Sequence, residues 1–218
     1  MERVEPEEVN LELARELIRI ARSAIERHFS SERLRVEHRR AEMEKYGAVF
    51  VTLEKEREGR RELRGCVGVL EAFMPLWIAA VESALSSAFE DPRFPPLRRR
   101  ELGEVVITLT VLGRKEPVGS LEEIAIGEHA LYVERLYGRR LLSGVLLPEV
   151  PVDHCWSREV FANMTCAKAG LEERCWEAEG TTLYKIRSRA FRELSPGGEV
   201  VEVDLKGEYE KCFKARGH

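Results

Sequence analysis

No stretch of this chain approaches the roughly 18 consecutive apolar residues of a membrane-spanning helix, and no glycine-rich phosphate loop or Gly-x-Ser-x-Gly elbow occurs. Those absences argue against a helical membrane protein, a P-loop enzyme and a serine hydrolase of the elbow type. The opening Met1-Glu2-Arg3-Val4-Glu5-Pro6 is acidic and lacks the apolar centre of a signal peptide. Cysteine is sparse: Cys66, Cys155, Cys166, Cys175 and Cys212 are odd in number and contain no Cys-x-x-Cys pair. A disulfide-dense secreted scaffold is therefore not expected, and a reducing, cytoplasmic setting is. The gaps between His154, Cys155, Cys166 and Cys175 are too irregular for a structural zinc site. No metal and no cofactor are expected. Positive charge is not in excess either, because 35 Lys and Arg against 39 Asp and Glu leave a net charge of −4. Global attraction to nucleic acid does not follow from that balance.

What is present suffices for an ordinary globular protein. A hydrophobic content of 44% in 218 residues can fill the core of one large domain or two intimately packed subdomains. The 34% charged fraction resembles that of heat-adapted proteins, whose surfaces favour ion-pair networks. No internal repeat or interdomain linker stands out, and nothing in the pattern specifies an oligomeric state.

After Pro6, the positions Val9, Leu13, Leu17, Ile20, Ala24 and Ile25 recur at helical spacing and predict a helix near residues 7–29. Ala48 to Leu53 and Leu63 to Leu70 are rich in strand formers and flank a charged link, which reads as a hairpin. Pro75 opens a largely apolar helix, which stops at Asp91-Pro92-Arg93-Phe94-Pro95-Pro96-Leu97, where three prolines impose a fixed extended loop. A strand over Glu104 to Leu112 follows, then a second hairpin from Leu131 to Leu136 and Leu141 to Leu147. Ser157 caps a helix that ends at Ala169 and Gly170. Leu183 to Phe191 and Val200 to Leu205 read as strands, and the polar Lys206 to His218 as a frayed tail with Cys212 incidental in it. The sum is an α+β fold.

The segment Leu63-Arg64-Gly65-Cys66-Val67-Gly68 carries the most chemistry. If it is extended, twofold alternation places Arg64, Cys66 and Gly68 on one face and Leu63, Val67 and Val69 on the core face. A cation, a thiol and a position without a side chain then share one surface, with room for a ligand above Gly68. A thiol has a reference pKa of about 8.5, so a nucleophilic Cys66 needs a cation or a base. Arg64 can stabilise a thiolate or grip a carboxylate or phosphate, but cannot act as a base. His154 is the leading candidate for that role, followed by His38 and His129. Equally, Cys66 can face a ligand without reacting, or simply pack, and Gly65 and Gly68 can serve strand packing. Asp91 and Arg93 could orient a polar ligand from their stiff loop, although a structural turn capped by Asp91 is the expected role. Arg57, Arg60, Arg61 and Arg64, or Arg98-Arg99-Arg100, could form local patches for anions; surface solvation is the plainer reading.

Taken together, this segment, the Asp91 to Leu97 loop and Gly144-Val145-Leu146-Leu147-Pro148-Glu149-Val150 form a recognisable order. With Trp156, Phe161, Thr165-Cys166, Lys168-Ala169-Gly170-Leu171 and Trp176, they resemble the AMMECR family, named for the Alport syndrome, midface hypoplasia, intellectual disability and elliptocytosis chromosomal region. The resemblance covers roughly residues 10 to 195. It implies a mainly antiparallel sheet flanked by helices, a larger subdomain from both chain ends, a smaller central one, and a cleft at Arg64-Gly65-Cys66. It further implies that prokaryotic relatives accompany Memo-type and radical-SAM proteins, and it supplies no established reaction. Two positions depart from the pattern. Glu149 stands where the family usually has glutamine, and His154-Cys155 stands where it more often has tyrosine-glycine. In a cleft, Glu149 would favour an amine-bearing ligand or pair with Arg64.

Three functions are compatible with these residues. The first is a cysteine-dependent enzyme acting on a small polar or anionic metabolite, and the second a non-catalytic adaptor that binds a ligand, RNA or protein. The third is a structural scaffold.

Overall fold

The computed structural model describes residues 2–30, 40–57 and 60–215, with the side chains of 57 and 60 outside that description. The chain forms two compact units, one from Met1–Leu112 with Arg189–Val203 and the other from Gly113–Ser188 with Asp204–His218. The architecture is α+β, as the helix and strand patterns predict, and its sheet is antiparallel, as the family resemblance implies.

In the first unit, helix α1 (Leu11–His28) starts where the Asn10 side chain accepts the Leu13 N–H at 2.9 Å. That cap satisfies one of the helix's orphan donors and sets the start four residues later than Glu7 would. Its buried stripe runs through Leu13, Leu17, Ile20, Ala24 and Ile25. Strands β1 (Ala48–Arg57) and β2 (Arg60–Val69) form the expected hairpin, and β3 (Val105–Pro117) pairs with the opposite side of β1. Helix α2 (Leu76–Phe89) lies against β1, β2 and α1. Val49, Val51, Leu53, Ile107, Leu109 and Phe191 complete this core. A buried ion pair joins α1 to the closing strand β6 (Thr181–Glu193), where Arg22 Nε meets Glu193 Oε1 at 2.7 Å. The other Glu193 oxygen accepts the Ile107 N–H at 2.8 Å. Strand β7 (Val200–Glu202) pairs with the end of β6.

The second unit is built on β4 (His129–Tyr137), which lies between β5 (Arg140–Leu146) and β6. Helix α4 (Arg158–Lys168), capped by Ser157, packs onto β4 and β5 and buries Phe161, Ala162 and Cys166 with Leu131, Val133 and Leu183. The short helix α3 (Glu149–Asp153) precedes it. At only five residues it is too short to show a helical period in the sequence.

Three sequence expectations are overturned in this unit. Cys166 and Cys175 form a disulfide, and Cys212, expected to be incidental, bonds to Cys155. The Cα atoms lie 5.9 and 6.0 Å apart respectively, within ordinary bridging range. Paired cysteines remove the argument for a reducing setting that their number and spacing suggested. The tail is also no frayed end: α5 (Leu205–Ala215) is a helix with Leu205 buried. It is held by Cys212, by the Tyr209 hydroxyl donating to the Trp156 carbonyl at 2.9 Å, and by Asp204, which accepts the Gly207 N–H at 2.9 Å. Cys155 itself sits in the left-handed region at φ 52°. Among the described residues, no helix is long and apolar enough to cross a membrane.

Candidate functional site

Arg64, Gly65, Cys66, Gly68, Asp91 and Arg93 all lie in the first unit, around β2 and the loop that follows α2. Strand β2 is the edge of that unit's sheet. Its register with β1 shifts between Leu53, opposite Gly65, and Glu54, opposite Leu63. Arg64 is thus the extra residue of a β-bulge.

The bulge corrects the simple alternation. Cys66 lies opposite Thr52 and Gly68 opposite Phe50, on the face away from the helices. Arg64 instead turns to Glu101, and Leu63, expected in the core, is 41% exposed. The room expected above Gly68 is filled by the Phe50 ring, with which an added Cβ would collide. Gly65 faces the opposite way, where a Cβ would strike the Ser87 carbonyl oxygen of α2. Both glycines therefore permit close packing of protein against protein. The Ser87 hydroxyl reinforces this contact by donating to the Val51 carbonyl at 2.7 Å and accepting the Val67 N–H at 2.8 Å.

Cys66 belongs to one polar network. Its backbone N–H donates to Asp91 Oδ2 at 2.8 Å, and Arg93 Nη2 donates to its carbonyl at 3.1 Å. Arg93 also grips Asp91 through Nε at 3.0 Å and Nη2 at 2.7 Å, while its N–H closes the turn onto Oδ1 at 3.1 Å. The Arg93 hydrogen bonds, opposed by burial and aided by the Cys66 N–H, hold the Asp91 carboxyl down at about 2. Arg93 in turn is raised, first by Asp91 and to a lesser degree by the neighbouring Cys66 side chain. The thiol lies 3.4 Å from Thr52 Oγ1. On the same sheet face the buried Arg192 donates to Thr108 Oγ1 at 3.0 Å and lies 3.6 Å from Glu54.

Arg64 belongs to a second network. Its Nε and Nη2 donate to Glu101 at 3.0 and 3.2 Å, and Lys55 Nζ sits 2.7 Å from the same carboxylate. Burial would raise the Glu101 carboxyl, but the hydrogen bonds from Arg64 and Lys55 prevail and hold it at about 2. The third guanidinium nitrogen, Nη1, is buried and has no hydrogen-bond partner among the described residues. A buried donor left unpaired costs about 1–3 kcal/mol. Arg64 lines a surface depression of about 460 Å³ with Lys55, Arg98, Arg100, Glu101 and Glu104. Four cations face two carboxylates there. The Phe94 ring lies between the two networks, 6.0 Å from the Arg64 guanidinium and 5.5 Å from that of Arg93.

Two of the candidate bases belong to the second unit. His154 follows α3 in the second unit, is exposed, and stacks on Trp156 at 4.8 Å. Glu149 opens α3 in the same unit. His129, also there, accepts the Ala125 N–H on Nδ1 at 3.0 Å; burial, helped by Lys185, lowers its pKa. His38 lies outside the described residues. In the first unit, His28 stacks on Phe89 at 3.8 Å. Thr52, Lys55 and Glu101 were not singled out in the sequence; Arg64 and the Arg98-Arg99-Arg100 run pointed toward their neighbourhood, and Phe94 entered only as part of the proline-rich loop.

A model of the AMMECR1 family matches residues 18–191 of the chain. The chain belongs to the AMMECR1 family. A protein of Pyrobaculum aerophilum is 40% identical over 204 residues, covering 90% of this chain and 93% of its own. One from Aeropyrum pernix is 40% identical over 217 residues, with 94% and 89% covered. The crystal structure of an uncharacterised protein from Pyrococcus horikoshii matches at a TM-score of 0.83 and 33% identity, covering 89% of this chain and 98% of the other. The AMMECR1 match spans every motif residue discussed above, while its relatives supply no reaction.

Proposed function

We propose that this AMMECR1-family protein is a recognition module that holds a small anionic ligand through Arg64, without covalent chemistry at Cys66. The observation that carries the reading is the state of Arg64. It lines a depression where cations outnumber carboxylates, and it keeps one buried guanidinium nitrogen unsatisfied. A carboxylate or phosphate entering the depression can accept from that nitrogen after a small swing of the side chain, which removes the cost of the unpaired donor.

The Cys66 network favours structure over nucleophilic catalysis. Asp91, the carboxylate beside Cys66, is held at about 2 and already accepts from the Cys66 N–H and from Arg93. So weak a base does not withdraw a thiol proton at neutral pH. One contact favours a second reading, a cysteine-dependent enzyme: Arg93 interacts with the Cys66 side chain, and a guanidinium stabilises a thiolate.

Calorimetric titration with acetate and inorganic phosphate separates the two, with Cys66→Ala and Arg64→Ala as variants and circular dichroism to verify folding. Binding that persists in Cys66→Ala and disappears in a folded Arg64→Ala is the expected result. Rapid iodoacetamide labelling of Cys66 well below the ordinary thiol pKa, together with anion binding lost in Cys66→Ala, would establish the enzyme reading instead.

A further inference from the structure

We infer that the ligand's anionic group is a terminal phosphoryl dianion, as in a small phosphomonoester, seated among Lys55, Arg64, Arg98 and Arg100. This rests on the anion-recognition reading above and narrows it to a ligand class.

Charge complementarity carries the inference. Lys55 and Arg64 share Glu101, and Lys55 also reaches Glu104 at 2.9 Å, so these two carboxylates answer two of the four cations. Arg98 and Arg100, on the same wall, form no ion pair among the described residues. The depression is left with two units of positive charge unanswered, which a carboxylate or a phosphodiester meets only by half. A phosphomonoester carries close to two negative charges at neutral pH and presents three strong acceptor oxygens. Guanidinium groups bind such oxygens in a planar, paired geometry that an ammonium lacks, and three of the four cations here are arginines.

The size and placement of the site agree with this class. About 460 Å³ falls in the range of small-molecule sites. Arg98 flanks the turn in which its own N–H donates to Glu101 at 2.8 Å, so Glu101 fixes the backbone of one free arginine while holding the side chain of Arg64. Pro95, also on the wall, belongs to the proline-rich loop and stiffens the approach to the site.

The test is a calorimetric comparison of methyl phosphate, dimethyl phosphate and acetate at pH 7.5 and fixed ionic strength, on the intact protein and on the exposed double variant Arg98→Ala/Arg100→Ala. The expected result is that methyl phosphate binds roughly tenfold or more tightly than either monoanion, and that the double variant removes this preference, weakening methyl phosphate binding by a larger factor than acetate binding. Equal binding of all three, or a dianion preference unaffected by the double variant, overturns the inference and leaves the anion-recognition reading standing. Failure of every anion to bind the folded protein overturns both.

Discussion

Asp91 reaches Cys66 through the strand backbone rather than through the thiol: the Asp91 carboxylate accepts the Cys66 N–H at 2.8 Å. Arg93 completes the arrangement by donating to the Cys66 carbonyl at 3.1 Å. The carboxylate and guanidinium together answer one donor and one acceptor on an edge strand, as a neighbouring strand would. An unpaired edge invites pairing with other chains, and here a salt-bridged loop occupies it.

That bond makes stability dependent on acid. The Asp91 carboxyl is lowered from 3.8 to about 2, so its contribution is complete above the unfolded value near 4 and is lost as pH falls toward 2. Asp91→Asn is expected to lower stability at pH 7 by up to about 2 kcal/mol, less whatever solvent screens at the half-exposed Arg93. Chemical denaturation at a series of pH values checks this. The gap between the two proteins should close between roughly pH 4 and pH 2, and a gap constant across that interval would contradict it.

The packing role of Gly65 has its own signature. Gly65→Ala pushes a methyl group into the Ser87 carbonyl, and overpacking of this kind typically costs about 1–3 kcal/mol. Gly103, whose added Cβ meets nothing within 4 Å, is the control. Thermal unfolding should separate the two variants clearly, and equal melting temperatures would show that α2 yields at this contact.

Burial governs the ion pair between Arg22 and Glu193, whose side chains are 11% and 3% exposed. Glu193→Ala leaves Arg22 and the Ile107 N–H without their shared acceptor. A loss of about 3–5 kcal/mol is expected, against less than 1 kcal/mol for the exposed pair partner Glu122→Ala. Urea midpoints of the two variants measure the difference.

The Cys155–Cys212 link yields a paired experiment. Cys155 adopts the left-handed backbone that glycine accepts freely, and the family pattern resembled by this chain more often has glycine at that position. Cys155→Ser removes the crosslink and keeps the strain, whereas Cys155→Gly removes both. Both should melt lower than the oxidised parent, because closing a loop of this length contributes up to about 4 kcal/mol in the chain-entropy account. Cys155→Gly should recover about 1 kcal/mol relative to Cys155→Ser, and the two should rank the same way under reducing conditions. Differential scanning calorimetry with and without a dithiol reductant reads each contribution.

Much of the scaffold was legible because apolar spacing and turn residues report it directly. The α1 stripe, the β1–β2 hairpin, the Ser157 cap and the Asp91 turn all follow from local physics. The elements that were missed depend on partners far along the chain. Helix α5 reads as polar because its anchors, Leu205, Tyr209 and Cys212, are few and widely spaced, and become meaningful only against Trp156 and Cys155. Both disulfides lack a local motif, one spanning 57 positions. At the site, the fault lay in a single residue. One extra residue in β2 leaves composition unchanged, yet it turns Arg64 away from Cys66 and into the company of Lys55 and Glu101.

That bulge also bears on how the family can diversify. Because Arg64 and Cys66 are wired to different partners, a lineage can alter the cationic wall by changing Arg98 or Arg100 without touching the strand-edge clasp formed by Asp91 and Arg93. Six consecutive residues that look like one inherited unit thus carry two traits open to separate selection. Ligand preference and edge protection need not evolve in step.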